Sequence, residues 1–222
     1  MQPKKLTAMF IYPIPGVRGI SVQEAEVTPF GLKHNREFII VDDNEKIVSP
    51  GRAPKMNELT VKFDKEFMNV SYPGAPQLYV RHSPRPNGAN IPIDICGKLG
   101  YGTVREKYTA AWFSERLGLS CHLIQCDFSN IRSRNGADGP AVVLIPQENG
   151  SGTPVEMNQF QPNLVVAGCT SPFAVDSWEF VRINETRFVG VRDGLARPLS
   201  SGKKLKVSCV GTIRVGNQVH AS

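Results

Sequence analysis

Apolar residues fall in short runs separated by turn residues along most of the chain, a pattern of strands rather than helices. Residues 6–14 form the first run, which ends at Pro13 and Pro15 and is followed by Gly16. Residues 38–41 and 46–48 flank the polar turn Asp42-Asp43-Asn44-Glu45, and residues 59–63 and 67–72 flank Asp64-Lys65-Glu66. Both pairs read as hairpins, and residues 79–81 extend the set. The Pro-, Gly- and Asn-rich stretch 84–90 reads as a loop or linker. One helix is expected over residues 103–117: Ala110, Ala111, Phe113 and Leu117 fall near one face with Trp112 beside them, and Gly118 supplies the stop. Residues 122–126, 141–145, 164–167, 178–183, 188–191 and 205–210 are again short and β-like, and Gly211 to Gly216 closes the chain as turn, strand and turn. The pattern predicts a mainly β fold with one clear helix, in two lobes, the first a closed or sandwiched β unit.

Composition narrows the class. The 222 residues are 41% hydrophobic, enough for one substantial core or two small ones. No apolar run reaches the roughly eighteen residues of a membrane span, so no membrane contact is expected. The opening Met-Gln-Pro-Lys-Lys leads into a run with Thr7 and Pro13 and no small-residue cleavage site. It reads as a first strand rather than a signal peptide, which makes a cytoplasmic location the expectation. The five cysteines are Cys96, Cys121, Cys126, Cys169 and Cys209, and no two have C-x-x-C spacing. Cys121, His122 and Cys126 match no common metal motif, so no metal site is expected and the thiols read as reduced, buried and structural. The net charge of +6 is modest. Its clusters at Arg132/Arg134 and Lys203, Lys204 and Lys206 read as solvated faces, and without a docking motif or interleaved aromatics no nucleic-acid partner is expected. No P-loop, paired-carboxylate motif, Ser-His-Asp order or dinucleotide fingerprint is present.

Several stretches, in order, resemble the MOSC family together with its N-terminal β-barrel partner domain. Ile11-Tyr12-Pro13-Ile14, Arg18-Gly19-Ile20-Ser21-Val22 and Glu24-Ala25-Glu26-Val27 resemble the opening of that partner domain, and Gly31-Leu32, Arg36-Glu37-Phe38 and Val41-Asp42 its next segment. Ala110-Ala111-Trp112-Phe113-Ser114 with Leu117-Gly118, and then Ala137-Asp138-Gly139, fit the start of the MOSC domain. Asn158, Phe160, Pro162, Asn163-Leu164-Val165-Val166 and Gly168, then Pro172-Phe173-Ala174 with Asp176-Ser177-Trp178, fit its centre, and residues 211–216 match its ending. With the strand-rich pattern, the resemblance implies two β-barrel-like lobes: a MOSC N-terminal β-barrel-like domain over residues 1–90 and a shortened MOSC domain over residues 91–222. Members include molybdenum-cofactor sulfurase C-terminal domains and amidoxime-reducing enzymes. Their phosphate-bearing cofactor calls for cations and backbone donors, and their metal or sulfur chemistry for a thiolate.

This chain departs from the pattern at those positions. The family's Lys-Ser after Tyr-Pro-Ile is Pro15-Gly16, its Arg-Phe-Arg is Gln159-Phe160-Gln161, and the segment Arg192-Asp193-Gly194-Leu195 carries no cysteine. Of the basic positions that align, Arg36 survives. The expectation is a cofactor-free enzyme acting on a small organic substrate by acid–base chemistry such as isomerisation, cyclisation or dehydration. The runner-up is a molybdenum-cofactor sulfurtransferase or reductase, and a non-catalytic binding or scaffold protein is the third reading.

Each candidate residue has a functional and a structural reading. His34 suits proton transfer near neutrality or a structural role, and from an extended segment it would point the same way as Arg36. Arg36 suits a substrate carboxylate or phosphate, or an ion pair in the β unit. Asp138 is the other acid–base candidate, and its loop, Asn135 to Gly139, equally suits a turn-stabilising aspartate. Arg132 and Arg134 precede that loop and can replace lost cations, or lie solvated. Asn158, Gln159, Gln161 and Asn163 are candidate orienting groups that suit a neutral polar ligand better than a phosphate. Asp176 and Trp178 read as structural, with the indole in the core.

Overall fold

The computed structural model describes residues 3–83, 88–94, 99–128, 142–147, 161–170, 174–191 and 202–222. The chain forms two compact units, and neither is one continuous stretch: unit 1 takes residues 1–11, 21–33 and 138–222, and unit 2 takes 12–20 and 34–137.

Unit 1 begins with β1 (Lys5–Ile11), β2 (Ile20–Ser21), β3 (Glu24–Thr28) and β4 (Gly31–Leu32). Unit 2 contains β5 (Phe38–Asp42), β6 (Thr60–Phe63), β7 (Phe67–Ser71), β8 (Leu78–Arg81), β9 (Asn90–Asp94), β10 (Leu99–Val104), α1 (Lys107–Leu117) and β11 (Cys121–Asp127). The chain then returns to unit 1 with β12 (Val142–Pro146), β13 (Leu164–Ala167), β14 (Phe180–Ile183), β15 (Thr186–Gly190), β16 (Lys203–Cys209), β17 (Gly211–Arg214) and β18 (Val219–Ala221). The fold is mainly β, with one α-helix among the described residues.

In unit 2 the sheets run β5-β11-β10-β9 and β6-β7-β8. The run Phe38-Ile39-Ile40-Val41-Asp42 is buried at every position. Its two faces serve different clusters: Phe38 and Ile40 pack with Met56, Met68, Phe113 and Leu123, while Ile39 and Val41 pack with Ile93 and Ile124. A strand covered on both faces loses polar alternation, which is why this segment reads as a continuous apolar run. The expected hairpin over residues 59–72 forms as β6 and β7, with Thr60 opposite Ser71 and Phe63 opposite Met68.

The helix begins at Lys107, not at residue 103. Thr103 and Val104 complete β10, opposite Gln125 and Ile124 of β11. Glu106 is the extended N-cap residue, and the Thr109 hydroxyl donates to its carbonyl at 2.7 Å. Gly118 ends the helix in the left-handed region at φ 75°, with its N–H on the Ser114 carbonyl. Trp112, Phe113 and Leu117 are buried.

In unit 1 an eight-stranded sheet runs β18-β14-β15-β16-β12-β13-β1-β2, beside a three-stranded sheet β17-β3-β4. The strand expected at 178–183 begins only at Phe180, because Ala174–Ser177 forms a 3-10 turn. Trp178 is buried, as expected for a core indole. Cys121 and Cys126 are buried, as expected of structural thiols, while Cys169 is partly exposed and Cys209 is exposed on β16. No described helix is long and apolar enough to cross a membrane.

Candidate functional site

Among the described residues, polar side chains concentrate in unit 2 around residues 34–37, and the local backbone explains why. Residues 33–36 form a turn in which His34 (φ 63°) and Arg36 (φ 57°) both occupy the left-handed region. The extended segment expected here is therefore absent, and the inference that both side chains point one way falls with it. A non-glycine residue in this region is uncommon and strained, and two in three residues require a surrounding that holds them. The neighbouring loop supplies it. The Asn35 Oδ1 accepts from the Tyr12 N–H at 2.9 Å, the Arg36 N–H donates to the Tyr12 carbonyl at 2.8 Å, and the Phe38 N–H donates to the Pro13 carbonyl at 3.0 Å.

His34 stacks on Phe63 with ring centroids 4.5 Å apart and meets His82 edge-on at 5.5 Å. Its Nδ1 is 2.8 Å from Glu37 Oε2, with side-chain exposures of 26% and 20%. The other Glu37 oxygen accepts from Gln125 Nε2 at 2.8 Å, and the same amide nitrogen donates to the His82 carbonyl. Gln125 Oε1 in turn accepts from Arg105 Nη1 at 2.9 Å. Arg105 is buried, and its guanidinium also donates to the carbonyls of Ser83 and Arg81 and to Glu106 Oε1. The result is a relay of partners, His34–Glu37–Gln125–Arg105, in which most buried groups find acceptors and donors as low polarity demands, Arg105 Nε and Glu106 Oε2 being the exceptions. With the carboxylate on Nδ1, the neutral imidazole presents Nε2 as its acceptor. Among the described residues Nε2 carries no hydrogen bond.

Arg36, like Arg105, has a buried Nε with no hydrogen-bond partner. The Tyr12 phenol nearby is pushed well above the ordinary tyrosine range by burial, which the Arg36 charge partly opposes. A buried guanidinium N–H without an acceptor is costly in isolation and is relieved by an anion or carbonyl.

The remaining sequence candidates do not gather here. Asn163 is completely buried in unit 1 and stitches strands together: its Oδ1 accepts from the Val143 N–H at 3.1 Å and its Nδ2 donates to the Phe10 carbonyl at 3.0 Å. Its backbone N–H and carbonyl bond the same two residues. Gln161 is buried with φ 47°. Asp138, Arg132, Arg134, Asn158 and Gln159 lie outside the described residues. Reading the sequence missed Glu37 as a partner and missed Gln125, Arg105, Phe63 and His82. Glu37 carried a signal, since it stands next to Arg36 in a segment already singled out; Gln125 lies 88 residues further on and carried none.

The loop 12–17 bears on what cofactor the residues present could hold. Gly16 sits at φ 83°, and a Cβ there would stand 2.7 Å from the Pro50 Cδ. A serine at this position would have to displace a proline ring and adopt a backbone that side chains avoid. Pro15 has no N–H to donate. Among the described residues no group of three His, Cys, Asp or Glu side chains could hold a metal. Burial raises the Cys121 thiol, which disfavours its thiolate. Position 16 thus offers no hydroxyl, and position 15 no N–H, to an anion at this loop.

A family model, the MOSC N-terminal beta barrel domain, matches residues 4–120. The molybdenum cofactor sulfurase of Oryza sativa subsp. japonica is 23% identical over 84% of this chain and 27% of its own length. The mitochondrial amidoxime-reducing component 1 of Mus musculus is 23% identical over 80% of this chain and 59% of its own length. The chain therefore spans about a quarter of the first relative and about three fifths of the second. The crystal structure of the YUAD protein from Bacillus subtilis aligns with 98% of this chain and 94% of its own at 6% identity and a TM-score of 0.41, a likeness too distant to bear on the site. The match covers more than half of the chain, and its relatives are molybdenum-cofactor sulfurases and amidoxime-reducing components: the chain belongs to the MOSC family, through a MOSC N-terminal β-barrel domain.

Proposed function

We propose that this MOSC-family chain is an enzyme that works without a molybdenum cofactor and moves a proton on a small organic substrate, in an isomerisation, cyclisation or dehydration. The observation that carries the reading is the His34–Glu37 pair, with Nδ1 fixed on a carboxylate and Nε2 left to accept. A base so arranged removes a proton from a carbon next to a carbonyl, and the Glu37 carboxylate stabilises the imidazolium that forms. Returning that proton to a different atom completes an isomerisation; returning it to a departing hydroxyl releases water. Arg36, with its unpartnered Nε, serves as the contact for a carboxylate or for the oxygen on which charge develops. Of the two acid–base candidates His34 has partners that suit the role, and Asp138 stays a second candidate. The closed loop at Gly16 and the neutral amides at Gln159 and Gln161 support the cofactor-free part of the reading.

A second reading, retained cofactor binding with sulfur transfer or reduction, is favoured by the same open guanidinium of Arg36, since a phosphate would satisfy it. Two measurements separate them. Elemental analysis of protein made in a cofactor-producing host is expected to find molybdenum far below one atom per chain; a stoichiometric metal would establish the second reading. Solvent deuterium exchange into small carbonyl compounds, followed by NMR, is expected to reveal a substrate whose exchange drops by about 10²–10⁴-fold in His34→Ala. Exchange that survives in both His34→Ala and Asp138→Ala would remove both from the mechanism.

A further inference from the structure

On the outer face of the unit 1 sheet, Arg182 of β14 stands directly opposite Arg187 of β15, and His220 of β18 stands opposite Arg182 on the other side. Directly opposed residues of antiparallel strands project to the same face, with Cβ atoms about 4.5–5.5 Å apart, and like charges so placed repel. Neither guanidinium has an acidic partner among the described residues. The next opposed pair along the same face is apolar: Phe180 faces Val189, and they are 58% and 37% exposed. These side chains line one groove of about 500 Å³, with Ser222 also in its lining, its carbonyl accepting from the Glu179 and Phe180 N–H groups. A cationic row and an apolar row two residues apart on one strand are separated by about 7 Å.

We propose that this groove is a binding site for a small phosphate monoester carrying an aromatic body. Two guanidinium forks side by side match the several oxygens of a phosphate, whose charge at neutral pH is about −1.5 to −2. A dianion between Arg182 and Arg187 turns their repulsion into two charge-assisted contacts. The spacing of the rows then lays a ring joined through an ester oxygen over Phe180 and Val189, where exposed apolar surface lacks a cover. Charge and apolar surface select the ligand together: inorganic phosphate meets one row, and a neutral phenol meets the other.

The test is a titration of ¹⁵N-labelled full chain with phenyl phosphate, with affinities from calorimetry. Saturable binding is expected, with amide shifts concentrated on β14, β15 and β18. Arg182→Gln and Arg187→Gln should each weaken it roughly tenfold or more, and both residues are exposed, so the variants keep the fold. Lys62→Gln removes the same charge from an exposed position on β6 and should change affinity by less than about twofold. Inorganic phosphate should bind more weakly than phenyl phosphate, and phenol not at all. The proposal is overturned if binding does not saturate at millimolar probe, if the shifts lie on other strands, or if both arginine variants bind as the wild type does. A loss in Lys62→Gln equal to that in the arginine variants would also overturn it, by reducing the effect to net charge. Equal affinity for inorganic phosphate would overturn the apolar half.

Discussion

Two arginine-bearing regions of this protein treat the same side chain in opposite ways. In unit 2, Arg105 is buried and donates to two carbonyls, an amide oxygen and a carboxylate. On the outer sheet face of unit 1, Arg182 and Arg187 sit exposed and opposite one another with no acidic partner among the described residues. The first arrangement uses a charge to hold other residues in place. The second leaves charge available to whatever arrives. What a polar group can do for function depends on the valences that remain after the fold has used its share: Arg36 and Arg105 each keep one buried donor, Nε, open.

The largest expected effect breaks the first region. Arg105→Met removes the donor to Gln125, Ser83 and Arg81 and strands the Gln125 oxygen in a buried setting. Breaking a buried network by deleting one charged member costs about 3–5 kcal/mol, which urea unfolding would read as a lower midpoint. A cost under about 1 kcal/mol, the range of an exposed ion pair, would show that this relay is surface decoration. The same variant loosens Glu37 and His34, so any proton-exchange activity should fall further than stability accounts for.

A smaller effect contrasts two carboxylates. In the turn after β5, Asp42 accepts from Arg52 Nη1 at 2.7 Å and from the N–H groups of Asn44 and Lys46, and these hold its carboxyl below the ordinary aspartate range. Its folded-state pKa is depressed, so its contribution is complete above the unfolded value and is lost as pH falls through the folded one. Asp42→Asn should lower the melting temperature at neutral pH and flatten the acid side of the stability profile. Asp176 has the opposite sign. Burial raises its carboxyl, which the charge of Lys203 only partly opposes, and its Oδ2 is buried without a partner. Here the folded state binds its proton more tightly, so stability falls as pH rises from the unfolded toward the folded value. Asp176→Asn should raise the melting temperature at pH 7, and the gain should vanish in acid. Thermal melts of both variants from acid to neutral pH check the two signs together.

These contrasts also mark what the sequence could convey. The hairpin of β6 and β7 was legible because its two strands are adjacent and Asp64-Lys65-Glu66 breaks them, a wholly local signal. The helix start was misplaced because Thr103 and Val104 are β-formers that follow no helical period, and only pairing with β11 assigns them. The site was half legible. His34 and Arg36 stood out by residue type, but a backbone with positive φ at two non-glycine residues has no compositional signature. Their extended-segment geometry was therefore misjudged. Gln125 reaches Glu37 only because β11 pairs with β5, a contact across 88 residues. Asn163 shows the reverse error: a polar residue in a family segment suggests a ligand contact, yet all four of its hydrogen-bonding groups bind Phe10 and Val143.

Thiol labelling sharpens the contrast of buried and open groups with a smaller effect. Cys121 is completely buried, its thiol raised by desolvation, while Cys209 is exposed on β16 opposite Arg187. The thiolate is the reacting species, so Cys209 should be alkylated first and Cys121 only on unfolding. Mass-spectrometric mapping after brief iodoacetamide treatment reads the order, and early modification of Cys121 would contradict its burial.

The smallest expected effect tests the second region in the absence of ligand. If Arg182 and Arg187 repel across β14 and β15, replacing either with glutamine removes the repulsion while keeping most of the aliphatic stem over the sheet. Cross-strand pairs of this kind are worth about 0.2–1 kcal/mol, so Arg182→Gln and Arg187→Gln should each stabilise the free protein by no more than that. The effect should shrink in high salt, because exposed charges are screened within about 8–10 Å at moderate ionic strength. The double variant should gain little beyond either single one, since the first substitution already ends the repulsion. A drop in stability in both single variants at low salt would mean that the arginines hold the sheet together, and would place them with Arg105 rather than opposite it.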